Sequence, residues 1–142
     1  SYVAQSFGYP VFDADREVSK LYKTDKRTFS NLKKILPDYF DKFPIEKKQV
    51  LEAILDKKGN LKKIVKIIHK QIRKKMSVFL KKNSHRKIVI LDIPLLLENK
   101  INNKNFILIY VQSKKSEILK RLKKRKNFNQ KLFTKFRGKK YK

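Results

Sequence analysis

Apolar positions fall into two kinds of pattern along the 142 residues. Over residues 16 to 36 they recur at helical spacing, with Val18, Leu21 and Tyr22 followed by Phe29, Leu32, Ile35 and Leu36. "IEKKQVLEAILDKKG" predicts an amphipathic helix stopped at Gly59. "NLKKIVKIIHKQIRKKMSVFLKKN" predicts a longer one, with Leu61, Ile64, Ile68, Ile72 and Met76 along one face. Pro37 and Pro44 bracket the connection before them. "YVAQSF", with Val3 and Phe7 four apart and Gly8 after them, reads as the last turns of a helix with a Gly stop.

The second pattern has no helical period. "PVFDAD" predicts a short strand, and "KIVILDI" and "FILIYVQ" predict fully buried, parallel strands. "SKKSEILKRLKKRKNF" returns to helical spacing from Ser113 or Ser116. Buried strands alternating with helices indicate an α/β fold with a parallel sheet. The chain shows no internal repeat and no linker long enough to divide it, so one domain over 1–142 is expected.

Charge changes the picture less than its size suggests. Thirty-nine Lys and Arg against 12 Asp and Glu leave a formal charge of +27. Such a field attracts polyanions: nucleic acid, an anionic membrane or phosphorylated small molecules. A chain rich in Lys, Ile, Asn and Phe also reads as the product of an A+T-rich coding sequence, which supplies basicity without function. From Lys114 onward there are fourteen Lys and Arg and one acid, Glu117. No Cys is present, which excludes disulfides and thiolate metal sites, and His69 and His85 lack metal-ligand spacing. "IVILDIPLLL" is cut by Asp92 and Pro94, short of the roughly 18 apolar residues of a membrane span. "SYVAQSFGYP" lacks the regions of a signal peptide. A cytosolic location is expected.

In so basic a chain, two acids at the end of a predicted strand ask for an explanation. In open α/β sheets ligands bind beyond the carboxyl ends of the strands. Asp13 and Asp15 end one such strand, and "DIPLLLEN" follows another, so a parallel sheet turns both toward one crevice. Strand alternation would point Asp13 and Asp15 to the same side. A carboxylate there can accept a hydroxyl proton or hold Mg²⁺ through water. The alternative is that the Asp pair caps the helix beginning near Arg16, with Asp15 as the cap.

"GYPVFDADREVSKLY" resembles the stretch after the phosphate loop in dephospho-coenzyme A kinases, where Asp-Ala-Asp follows two apolar residues. "IIHKQIRKKM" resembles that family's Leu-x-His-Pro-x-x-Arg helix, "LDIPLLLENK" its Pro-Leu-Leu-x-Glu motif, and "ILIYVQSKKSEILKRLKKR" the next strand and the helix into the lid. The four occur in the family's order across almost the whole chain. The resemblance implies a P-loop kinase fold and transfer of the ATP γ-phosphate to the 3′-hydroxyl of dephospho-coenzyme A. Asp15 then matches the general base, and Asp13 its neighbour toward Mg²⁺. His69 and Arg73 match the substrate-binding helix, within a helical region spanning 37–82. Leu96, Glu98 and Asn99 match the loop lining the acceptor pocket. Arg121 and Arg125 match the entrance of a lid that begins near residue 114. ATP and dephospho-coenzyme A are the implied ligands, with Mg²⁺, and neither a membrane nor a specific nucleic acid.

Taken without the resemblance, His69 also fits the edge of a core, Arg73 a solvated face, Glu98 the end of a strand, and Arg121 and Arg125 an ordinary basic run. Two departures stand out. Lys70 replaces the proline after the histidine, and no G-x-x-x-x-G-K-[ST] occurs, the only glycines being Gly8, Gly59 and Gly138. Ser1 fits the last residue of the phosphate loop and a possible Mg²⁺ contact. The expectation is a kinase domain lacking its first, central strand and its last strand, and inactive as 142 residues. A small basic nucleic-acid-binding protein and another nucleotide kinase of the same fold are the competing readings.

Overall fold

The computed structural model describes residues 2–93, 106–109, 111, 113–124 and 128. The chain divides into two units, residues 1–100 and 101–142. In the first, α1 (Tyr2–Ser6) ends at Gly8, whose φ of +74° is the left-handed conformation that glycine adopts at a helix stop. Gly8 N–H donates to Gln5 O at 2.9 Å, and Tyr9 N–H to Ala4 O at 3.2 Å, closing the turn. β1 (Val11–Asp13) follows, then α2 (Ala14–Thr24) and α3 (Lys26–Ile35).

The helical spacing over 16–36 is realised as two helices. Asp25 ends α2 with its N–H on Leu21 O and starts α3 with its carboxylate, which accepts from the N–H groups of Arg27 at 2.9 Å and Thr28 at 3.2 Å. A short acidic side chain satisfies the orphan donors of a new first turn better than continued helix would use it. The break re-aims α3 while Leu21 and Leu32 both stay fully buried.

The connection after α3 is part of the core. Leu36, Phe40 and Ile45 are buried in it, and Ile45 N–H donates to Tyr22 O at 2.9 Å. α4 (Lys47–Asp56) begins where Glu46 N–H is accepted by Gln49 Oε1 at 2.8 Å. α5 (Asn60–Lys82) is the long helix of the sequence reading, and Ile64, Ile68 and Ile72 are its buried stripe. α5 packs against α2, α3 and α4, so one helix collects the apolar faces of three others. Asn60, buried at its first turn, donates to Ala53 O at 3.0 Å and so joins α5 to α4.

β2 (Ile90–Asp92) pairs in parallel with β1, Val11 to Ile90, Phe12 to Leu91 and Asp13 to Asp92. The fold is α/β with a small parallel sheet and flanking helices, an incomplete P-loop kinase arrangement. Two strand expectations need correction. "KIVILDI" forms only three strand residues, and they are not fully buried: Ile90 and Leu91 are half-covered, Asp92 is exposed and Ile88 lies outside the strand. "FILIYVQ" forms no strand at its described residues, and Ile107, Ile109 and Val111 are 80 % or more exposed. An apolar run becomes a strand only where an edge offers it backbone partners, and among the described residues no strand pairs with it.

The second unit is described chiefly by α6 (Lys115–Lys123), the helix expected after "FILIYVQ".

Candidate functional site

The strand β1 ends on Asp13, and the same residue starts α2. Asp13 Oδ1 accepts the Arg16 N–H at 2.9 Å, so Asp13 and not Asp15 is the helix cap. The chain has already turned into helix at Ala14, which removes the strand alternation expected to align the two acids. Asp15 instead lies exposed in the first turn of α2, where the positive end of the helix dipole favours a carboxylate. Its side chain is not spent on capping. The parallel register puts Asp92 opposite Asp13 at the same carboxyl-terminal rim. Asp92, which interrupts the apolar run "IVILDIPLLL", was not among the candidate site residues. Its signal was there, an acid ending a predicted strand just as Asp13 does.

α5 carries His69 and Arg73, four residues apart and therefore on one flank of the helix. His69 is half-buried beside the Ile68 and Ile72 stripe. Burial, and then the nearby Arg73 cation, hold its imidazole below the usual 6.5. At neutral pH the ring is therefore uncharged, able both to donate and to accept a hydrogen bond.

Glu17, in the first turn of α2, bridges to α5. Its carboxylate lies 2.6 Å from Lys20 Nζ and 3.2 Å from Lys75 Nζ, with the carboxylate mostly covered. Burial alone would raise its pKa, but the hydrogen bonds from Lys20 and Lys75 outweigh burial and lower it from 4.5. Beside this pair, an open cleft of about 350 Å³ is lined by Phe12, Glu17, Lys74, Lys75, Val78 and Phe79. Its floor is apolar, with the Phe12 and Phe79 rings 5.5 Å apart. Two lysines edge it. Asp15, His69 and Arg73 are not among its lining residues, so the sequence-predicted residues are not gathered in this cleft.

Arg121 is exposed on α6, in the second unit. Ser1, Leu96, Glu98, Asn99 and Arg125 lie outside the described residues. Among the described residues, no three His, Cys, Asp or Glu side chains form a metal cage. Mg²⁺ bound with nucleotide phosphates needs only one or two carboxylates and keeps several waters. Asp13, with one oxygen committed to Arg16, and Asp92 beside it in register meet that modest demand. No described helix is long and apolar enough to cross a membrane.

A model of the dephospho-CoA kinase family matches residues 1–136. The chain belongs to the dephospho-CoA kinase family. It is 30 % identical over 130 residues to the dephospho-CoA kinase of Wolbachia sp. subsp. Brugia malayi, covering 90 % of this chain and 67 % of that protein. Identity to the Wolbachia pipientis wMel protein is 31 % over the same length and coverage. To the Bartonella henselae protein it is 30 % over 133 residues, with 92 % and 68 % covered. The chain thus spans about two thirds of the length of these dephospho-CoA kinases.

Proposed function

We propose that this chain is the acceptor-side portion of an enzyme that moves the γ-phosphoryl group of ATP to the 3′-hydroxyl of dephospho-coenzyme A. The observation that carries the proposal is the rim: a parallel strand pair ends in Asp13 and Asp92, and the turn into α2 presents Asp15 exposed beside them. Asp15 serves as general base. It accepts the hydroxyl proton as the hydroxyl oxygen bonds to phosphorus and the bond to the ADP oxygen breaks. Asp13 holds the turn that aims Asp15, and its second oxygen would be the one available to hold Mg²⁺ through water.

Phosphoryl transfer asks the protein mainly for positioning and for cations around the moving group. His69, neutral, and Arg73, cationic, share a flank of α5 and hold the acceptor, the guanidinium offsetting its phosphate charge. The family resemblance assigns Leu96, Glu98 and Asn99 to acceptor binding, and Arg121 and Arg125 to offsetting phosphate charge. Ser1, and Asp13 through water, would hold Mg²⁺, which when bound would supply charge neutralisation at the phosphates. The substrate-binding region is 37–82, and the lid and basic tail begin at 114.

The phosphate cradle itself is not encoded in these residues, since no G-x-x-x-x-G-K-[ST] occurs. In P-loop enzymes that loop's backbone N–H groups and lysine hold the phosphates. Lysine side chains elsewhere are not a preorganised substitute. The 142 residues alone are therefore expected to be inactive. The test incubates ATP labelled in its γ-phosphate with dephospho-coenzyme A. One sample holds this chain, and the other a full-length form, made by extending the chain ahead of Ser1 with a strand and a Gly-Lys loop and completing it at its C-terminus. Label on the 3′-oxygen in the second sample only is the expected result. Turnover by the short chain near the 1 to 100 per second common among kinases would place the phosphate site elsewhere.

A further inference from the structure

Asp15 sits on α2, whereas His69 and Arg73 sit on α5, so the proposed site is divided between two helices that pack against each other. Apolar contact presses such helices together but is not directional. Among the described residues, one ion pair crosses from α2 to α5: Glu17 to Lys75, at 3.2 Å. With about 100° per residue, Lys75 lies some 60° to one side of Ile72, and His69 about 60° to the other. The pair therefore grips α5 in line with Ile64 and Ile68, about 120° around the helix from His69. At the helix surface, about 5 to 6 Å from the axis, a roll of about 10° shifts side chains by roughly 1 Å. Displacements of that size far from the chemistry can cost about 10²-fold in rate.

We propose that Glu17 and Lys75 are positioning residues that fix the roll of α5 on α2, and so the aim of an acceptor held on α5 at the base on α2. This rests on the phosphotransfer reading above. Lys20 binds the same carboxylate from within α2, at 2.6 Å, and does not reach across. It is the internal control. An acceptor held by α5 moves with α5, so loosening the roll spares binding and spoils alignment. A merely structural role would lower the melting temperature and leave kcat per folded enzyme unchanged.

The experiment measures kcat and KM for dephospho-coenzyme A in the full-length protein at saturating ATP, with melting temperature alongside. Glu17→Gln and Lys75→Met are each expected to lower kcat about 3- to 30-fold with KM within about two-fold. The double variant should fall no further than either single one, Lys75→Arg should recover kcat to within about two-fold, and Lys20→Met should leave it there. Unchanged kcat in Glu17→Gln and Lys75→Met, an additive double variant, or an equal fall in Lys20→Met would overturn the proposal. A parent protein with no turnover overturns the phosphotransfer reading and this proposal with it. An active parent with unchanged variants overturns this proposal alone.

Discussion

Asp13 and Asp92 are register partners in the parallel pair of β1 and β2, so both strands end on a carboxylate at one level. Parallel strands lie about 4.8 Å apart, and side chains at partnered positions project to the same face. In a chain of charge +27, two acids paired in register at the carboxyl ends of a parallel sheet stand out. The helix that follows carries Asp15 two residues further on, in its first turn.

Asp13 has two separable duties. Its Oδ1 caps α2 through the Arg16 N–H, and its charge faces the rim. Asn caps helices about as well as Asp, whereas Ala forfeits about 1 kcal/mol. Denaturant unfolding should therefore show Asp13→Ala less stable by about that amount and Asp13→Asn close to the parent. Equal losses in both would mean that charge, not the cap, holds the turn.

The packing of α3 makes a sharper demand. Leu32 is fully buried and Ile35, three residues on, is 44 % exposed. Leu32→Ala opens a cavity and should destabilise by about 2–5 kcal/mol. Ile35→Ala should cost much less, nearer the 0.5 kcal/mol typical of surface positions. A reversed order, read by chemical denaturation, would show α3 rotated from the orientation described.

Glu17 carries an acid-dependent part of the stability. Its folded pKa is lowered from 4.5, because hydrogen bonds from Lys20 and Lys75 outweigh burial. Between the two values the unfolded chain binds more protons than the folded one, so this contribution is full above about pH 4.5 and is lost as pH falls through the folded value. Glu17→Gln should flatten the decline of stability over that acid range by lowering stability on the neutral side, with little change at the acid end. Equal acid sensitivity in the variant would assign the loss to other carboxylates.

Much of this organisation was legible in the sequence, for physical reasons that differ from element to element. The Ile64, Ile68 and Ile72 stripe announces α5 because burial of one helical face requires that spacing. The break at Asp25 hid in the same kind of stripe: Leu21 and Leu32 stay buried whether the helix is one or two, and only the local capping chemistry of Asp25 divides it. "VFDAD" announced a rim but not its roles, since the turn from strand to helix at Ala14 decides which acid caps and which is presented. "FILIYVQ" has the composition of a strand, yet a strand is made by its neighbour as much as by its residues. The Glu17–Lys75 bridge joins positions 58 apart, and no local pattern signals it.

The most direct test of the account is the rate of phosphoryl transfer by the Asp15→Asn variant of the full-length protein. The amide keeps the size of the side chain, and capping by Asp13 is untouched, so the fold should survive. Loss of a general base typically lowers rates about 10²- to 10⁴-fold. The account predicts a fall in kcat of that order with KM for dephospho-coenzyme A nearly unchanged, the pattern of an interaction made only in the transition state. An unchanged kcat would contradict it and leave Asp15 as no more than a favourable charge in the first turn of α2.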